Sequence, residues 1–100
     1  MVITTNTHIE IFRQSDEGEF FRVASWIGAF IEPAGDTIQA IFDEVPGGQI
    51  FTIFTDFMTI EIGDKIINDS QNEYIVQGVK KFQSFLGEHA ELTVRKWSEM

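Results

Sequence analysis

The sequence predicts a small all-β fold, an antiparallel barrel or sandwich of about six to eight short strands with at most one or two short helical turns. Three observations carry this. Polar and apolar residues alternate with period two at 8–13, 49–55 and 90–96, which marks strands with one buried face. Turn-forming clusters (Ser15-Asp16-Glu17-Gly18, Pro33-Ala34-Gly35, Pro46-Gly47-Gly48, Gly63-Asp64) recur at short spacing between them. The chain has 100 residues and is 43% hydrophobic, enough for one core but not two. Residues 1–100 therefore read as a single barrel domain with an excursion at about 34–48.

Each element follows from its residues. In 8–13, Ile9 and Ile11 share a face, so the segment is a half-buried strand. The turn at 15–18 uses Asp and Gly, which tolerate its backbone angles. Residues 20–31 are rich in aromatic and β-branched side chains and read as one or two strands, ended by Pro33. Residues 36–45 are open between a helical turn capped by Asp36 and a short strand. Gln49 to Thr55 is a strand, with Phe51 and Phe54 on opposite faces. Lys65 to Asn68 starts a hairpin that returns, through the polar turn 68–73, as the strand 74–79. Apolar residues at 79, 82, 85 and 86 fit either a helical turn or a strand bending outward to Gly87. In the last strand Ala90, Leu92 and Val94 form one face.

Composition narrows the function classes. There is no cysteine, so neither disulfides nor thiolate metal sites hold the fold. Packing alone must do so, and ten phenylalanines point to an aromatic core. No apolar run is long enough for a membrane helix. Met1 to Thr7 lacks the basic and apolar regions of a signal peptide, so a cytoplasmic origin is expected. The net charge is −9, and residues 1–64 carry eleven carboxylates against only Arg13 and Arg22. Such a surface repels free nucleic acid.

The chemistry of catalysis is sparse. His8 and His89 are the only histidines, and nothing in their spacing brings them together with a carboxylate as metal ligands. The stretch 68–73 is rich in side-chain oxygen but lacks the spacing and the turn glycine of a calcium loop. Gly47-Gly48 is not followed by the Lys-Ser/Thr of a phosphate loop. Asp16/Glu17 and Asp43/Glu44 sit in turns, where a carboxylate stays solvated. No enzyme activity, cofactor or metal is expected. Apolar residues on both faces of strands, and Trp97 just past the last one, suggest a face covered by a partner or by loops.

The second half carries a resemblance. The run Ile60-Glu61-Ile62-Gly63-Asp64-Lys65, the polar turn 68–73, Tyr74-Ile75-Val76-Gln77-Gly78-Val79, and the alternating strand 90–96 resemble the C-terminal half of the head-closure (stopper, or head–tail connector) proteins of long-tailed bacteriophages and prophages. The resemblance is best over 60–96 and looser elsewhere. It implies a small β-barrel that forms a ring with copies of itself in the virion, assembled in the host cytoplasm. Such a ring closes the portal channel, lets DNA pass without specific binding, and docks neighbouring connector and tail proteins, with no membrane involved. It implies that Gly63, Asp64, Tyr74, Val76, Gly78 and Val79 define the fold. It also implies that Ile38, Ile41, Phe42, Asp43, Glu44, Val45, Pro46, Gly47 and Gly48 meet a neighbour or the channel; Trp97, by its residue type and place, reads as packing on the core edge or anchoring a neighbour. The segment 34–48 is here fairly apolar, which reads equally as a packed piece. Two other classes stay open: an acidic DNA mimic or inhibitor that binds a basic protein, and a small barrel that binds a ligand or polysaccharide through exposed aromatics.

Overall fold

The computed structural model describes residues 5–33, 50–85 and 87–96. They form six strands: β1 (Thr7–Gln14), β2 (Phe20–Pro33), β3 (Ile50–Thr55), β4 (Lys65–Asn68), β5 (Glu73–Ser84) and β6 (Gly87–Lys96). All pairings are antiparallel, and the order β1-β2-β3-β6-β5-β4 closes on itself through β4 and β1. Of the two predicted architectures the barrel is the one formed. The helical option at 79–86 is not taken, because β5 continues as a strand to Ser84. The last strand starts at Gly87, three residues earlier than its alternation suggests. The ambiguous segment 36–45 lies outside the described residues.

Two turns share one design. Ser15 N–H donates to Glu19 O and Gly18 N–H to Ser15 O. Asn68 N–H donates to Asn72 O and Gln71 N–H to Asn68 O in the same pattern. In each, the fourth residue takes a left-handed backbone: Gly18 at φ +91° and Gln71 at φ +65°. This is a tight turn followed by a residue that favours glycine. Asn68 reinforces the second turn, its Oδ1 accepting from Ser70 N–H and Asn72 N–H, as short polar side chains do in turns.

Bulges break the alternation where the sequence reading was least sharp. Between Ile9↔Ile27 and Ile11↔Ala24, β2 holds Ser25 and Trp26 opposite the single residue Glu10. A second extra residue, Val23, follows. In β5, Gln77 is extra between Val76↔Val94 and Gly78↔Thr93. Each bulge shifts side-chain parity. Ala24 and Ile27, and likewise Val76 and Val79, therefore reach the core although three residues apart.

The core is aliphatic, which corrects the expected aromatic one. Ile9, Ile11, Ile53, Ile60, Ile66, Val76, Leu92 and Val94 are essentially buried, with Tyr74 beside them. None of the described phenylalanines is fully buried; Phe51 and Phe57 only border the core. A six-stranded barrel has a narrow interior that β-branched side chains fill and phenyl rings overfill. Each buried isoleucine contributes about 1.5–3 kcal/mol relative to exposure. Ile60, with Phe57 and Met58, comes from the β3–β4 connection and packs onto this core.

Candidate functional site

The β3–β4 connection is tied down by one buried carboxylate. Asp64 is 2% exposed. Its oxygens accept from Arg13 Nε at 3.0 Å and Nη2 at 2.9 Å, and Oδ2 also accepts from Glu61 N–H at 2.9 Å. Arg13 spans further: Nη2 donates to Thr59 O at 2.7 Å, and Nε lies 2.8 Å from Glu61 Oε2. The backbone of Gly63 and Asp64 exchanges hydrogen bonds with Val76. Arg13 of β1 thus joins the connection to the barrel wall, and a shallow groove of about 340 Å³ opens beside it. The guanidinium is held above its usual pKa, first by the hydrogen bond with Asp64, against desolvation, with Coulomb attraction to Asp64 and Glu61 adding to it. Every oxygen contact here anchors protein to protein. The arrangement is a clasp and leaves no free base beside a nucleophile.

The positions that the resemblance marks as fold-defining lie in the β3–β4 connection and in β5. Gly63 sits in the turn closed by Asp64 N–H to Glu61 O, at φ +93°. Tyr74 and Val76 are core residues, and Val79 packs against the core. Burial pushes the Tyr74 hydroxyl upward in pKa, partly offset by its hydrogen bond with Asn72. Gly78 lies next to the β5 bulge, but a side chain there would meet Thr93 only at ordinary contact distance. Arg13, the partner of Asp64, was not singled out from sequence. Its signal was its rarity, as one of two cations in an acidic half. The expected contact residues Ile38, Ile41, Phe42, Asp43, Glu44, Val45, Pro46, Gly47, Gly48 and Trp97 lie outside the described residues.

The outer surface concentrates apolar groups on two hairpins. The β5–β6 hairpin continues beyond the last β3 pairing, Thr55↔Ala90, through Phe82↔His89 to Ser84↔Gly87. Phe82 and His89 stack across it, rings 4.8 Å apart and nearly parallel. Phe85, at the tip, is 98% exposed, where two-residue hairpin loops normally carry Asn or Gly. Lys80 and Lys81 are exposed just below. Past Val76, which still bonds the backbone of Gly63 and Asp64, β5 pairs with β6 alone among the described residues. The β1–β2 hairpin is the opposite in charge: exposed Asp16, Glu17 and Glu19 lead into exposed Phe20 and Phe21.

The two histidines are separately partnered. His8 stacks on Trp26 and lies 3.5 Å from Asp69. His89 has Phe82 on its face and Glu91 at 3.9 Å. Among the described residues no three His, Asp or Glu side chains cluster as metal ligands. No known family model matches this chain, and a search of curated proteins finds no match.

Proposed function

We propose that this protein works by assembly and not by catalysis, as a ring-forming head–tail connector of a phage or prophage particle. The observation that carries this reading is the β5–β6 hairpin. It stands past the barrel wall with an apolar tip and, among the described residues, a strand edge left unpaired beyond Val76, features that cost solubility unless a partner covers them, while its two lysines give an acidic partner something to hold. The β1–β2 hairpin offers a complement, acidic at its turn and aromatic just beyond. Docking one hairpin of a copy on the other hairpin of the next is a head-to-tail contact, and such contacts close into rings when the rotation permits. The resemblance over 60–96 supplies the particle. An acidic wall suits a conduit that DNA must pass without sticking.

The test is a charge swap. Lys80→Glu with Lys81→Glu should abolish association in sedimentation at low salt, and Glu17→Lys with Glu19→Lys should do the same alone. Combining the four should restore it. The unaltered chain should co-purify with the capsid portal and neighbouring connector proteins when these are expressed together. A chain that stays monomeric at high concentration and joins no capsid component would end this reading.

A further inference from the structure

Among the described residues, two that are not glycine adopt a left-handed backbone, Trp26 at φ +58° and Gln71 at φ +65°. Both line the same groove, about 220 Å³ in volume, with His8, Glu10, Asn68 and Asp69. They come from different elements, the β2 bulge and the β4–β5 turn, so one local constraint does not explain both. A bulky residue in this region is strained, and strain of this kind gathers at functional sites. Gly18 shows what stability alone selects, because it fills in the first turn the place that Gln71 fills in the second. Trp26 is 72% exposed, so burial does not repay its backbone either.

What the strain holds in place is a platform with polar edges. One face of the Trp26 indole is covered by the His8 imidazole, centroids 4.0 Å apart and 5° from parallel. His8 is itself fixed, its backbone N–H donating to Asp69 Oδ2 at 2.9 Å and its ring Nδ1 3.5 Å from the same oxygen. Beside the ring lie the carboxylates of Asp69 and Glu10 as acceptors, the amide of Gln71, which both donates and accepts, and the amide of Asn68, whose Oδ1 is engaged by the turn and whose NH2 donates. Glu10 is partly engaged by Arg22 at 3.4 Å.

We infer that this groove is a binding site for a neutral saccharide. A sugar ring offers an apolar face for the indole and hydroxyls that both donate and accept, which matches the mixed edge. A purely cationic ligand would leave the amide donors unmet. A phosphorylated one would face two carboxylates with no lysine or arginine among the lining residues.

The experiment is an amide NMR titration of the full chain with chitotriose, cellotriose and maltotriose. Tetramethylammonium chloride and adenosine monophosphate serve as cationic and anionic probes. At least one trisaccharide should shift the Trp26 indole and the backbone signals of residues 68–71, saturating in the roughly millimolar range typical of weak sites. Trp26→Gly and Gln71→Gly suit their backbones, so both variants should melt at or above the temperature of the unaltered chain. Trp26→Gly should weaken binding more than about tenfold, about 1.4 kcal/mol, and Gln71→Gly more modestly. The inference falls if no trisaccharide binds, if only tetramethylammonium or adenosine monophosphate does, or if Trp26→Gly binds sugar unchanged. It falls equally if the unaltered chain binds no sugar and Trp26→Gly dissolves its self-association, which would make Trp26 a protein contact.

Discussion

At the scale of single residues, the Arg13–Asp64 clasp sets a clear order of costs. Removing Arg13 strands a carboxylate that is 2% exposed, with only Glu61 N–H left from its original donors. Removing the charge of Asp64 leaves an arginine that is 28% exposed and still has Glu61 beside it. An orphaned buried charge costs more than a lost partner at the surface. Arg13→Met should therefore destabilise by about 3 kcal/mol and Asp64→Asn by about 1–2 kcal/mol, read as shifts of the urea midpoint at constant slope. The reverse order would mean that the clasp is not what holds the connection. Tyr74 gives a pH signature. Its folded pKa is raised above the ordinary 10.0 by burial. Below that value both states keep the proton and no stability is lost. Above it the unfolded chain ionises first, so stability declines as pH rises from 10.0 toward the folded value. The informative quantity is the difference from Tyr74→Phe, which isolates the tyrosine. That variant should lose less stability between pH 9 and 11 than the unaltered chain, and parallel curves would refute the tyrosine's part in it.

At the scale of elements, turns divide into those that need glycine and those that do not. Gly63 holds φ +93° in the turn that presents Asp64, whereas Gly78 has room for a side chain. Gly63→Ala should cost about 1–2 kcal/mol because L-residues avoid that region. Gly78→Ala should stay within about 0.5 kcal/mol. Thermal melts of the two variants decide it, and equal losses would show that Gly78 is constrained by more than the local backbone. The same contrast explains what the sequence made legible. Strands β1 and β6 were readable because one face alternates without interruption, as Ala90, Leu92 and Val94 do, and β3 because it is a short run of β-branched and aromatic residues. Strands β2 and β5 were harder because bulges at Val23, at Ser25–Trp26 and at Gln77 reset the parity. A bulge leaves no mark in an apolar pattern except a spacing of three, which also reads as a helix. The spacing of three at 79 and 82 has another source: the register is regular there, and the core-facing Val79 and the exposed Phe82 lie on opposite faces of β5. The clasp and the Trp26 groove were hidden for another reason. Arg13 meets Asp64, and His8 meets Asp69, only once β1 and β4 are neighbours, and pairing between distant strands is set by the whole closed register.

At the scale of the molecule, charge acts in two opposing ways. Sixteen carboxylates against seven cations leave −9 on a small barrel, and that excess repels itself in the compact state. Local ion pairs such as Lys65–Glu73 and Arg22–Glu10 attract, but they are partly or largely exposed and contribute about 0–1 kcal/mol each. The general repulsion outweighs them. Raising the salt from ~10 to ~150 mM shortens the screening length from roughly 30 to 8 Å, which weakens the diffuse repulsion far more than contacts at 3 Å. The melting temperature should therefore rise with sodium chloride over this range. Association between the lysine-bearing β5–β6 hairpin and the acidic β1–β2 hairpin should do the opposite and weaken, because it depends on attraction between exposed groups. Calorimetry and sedimentation on one sample series would read both trends. A melting temperature that fell with salt would show that the ion pairs dominate the fold. Association that strengthened with salt would show that Phe82 and Phe85, and not the lysines, drive the contact between copies.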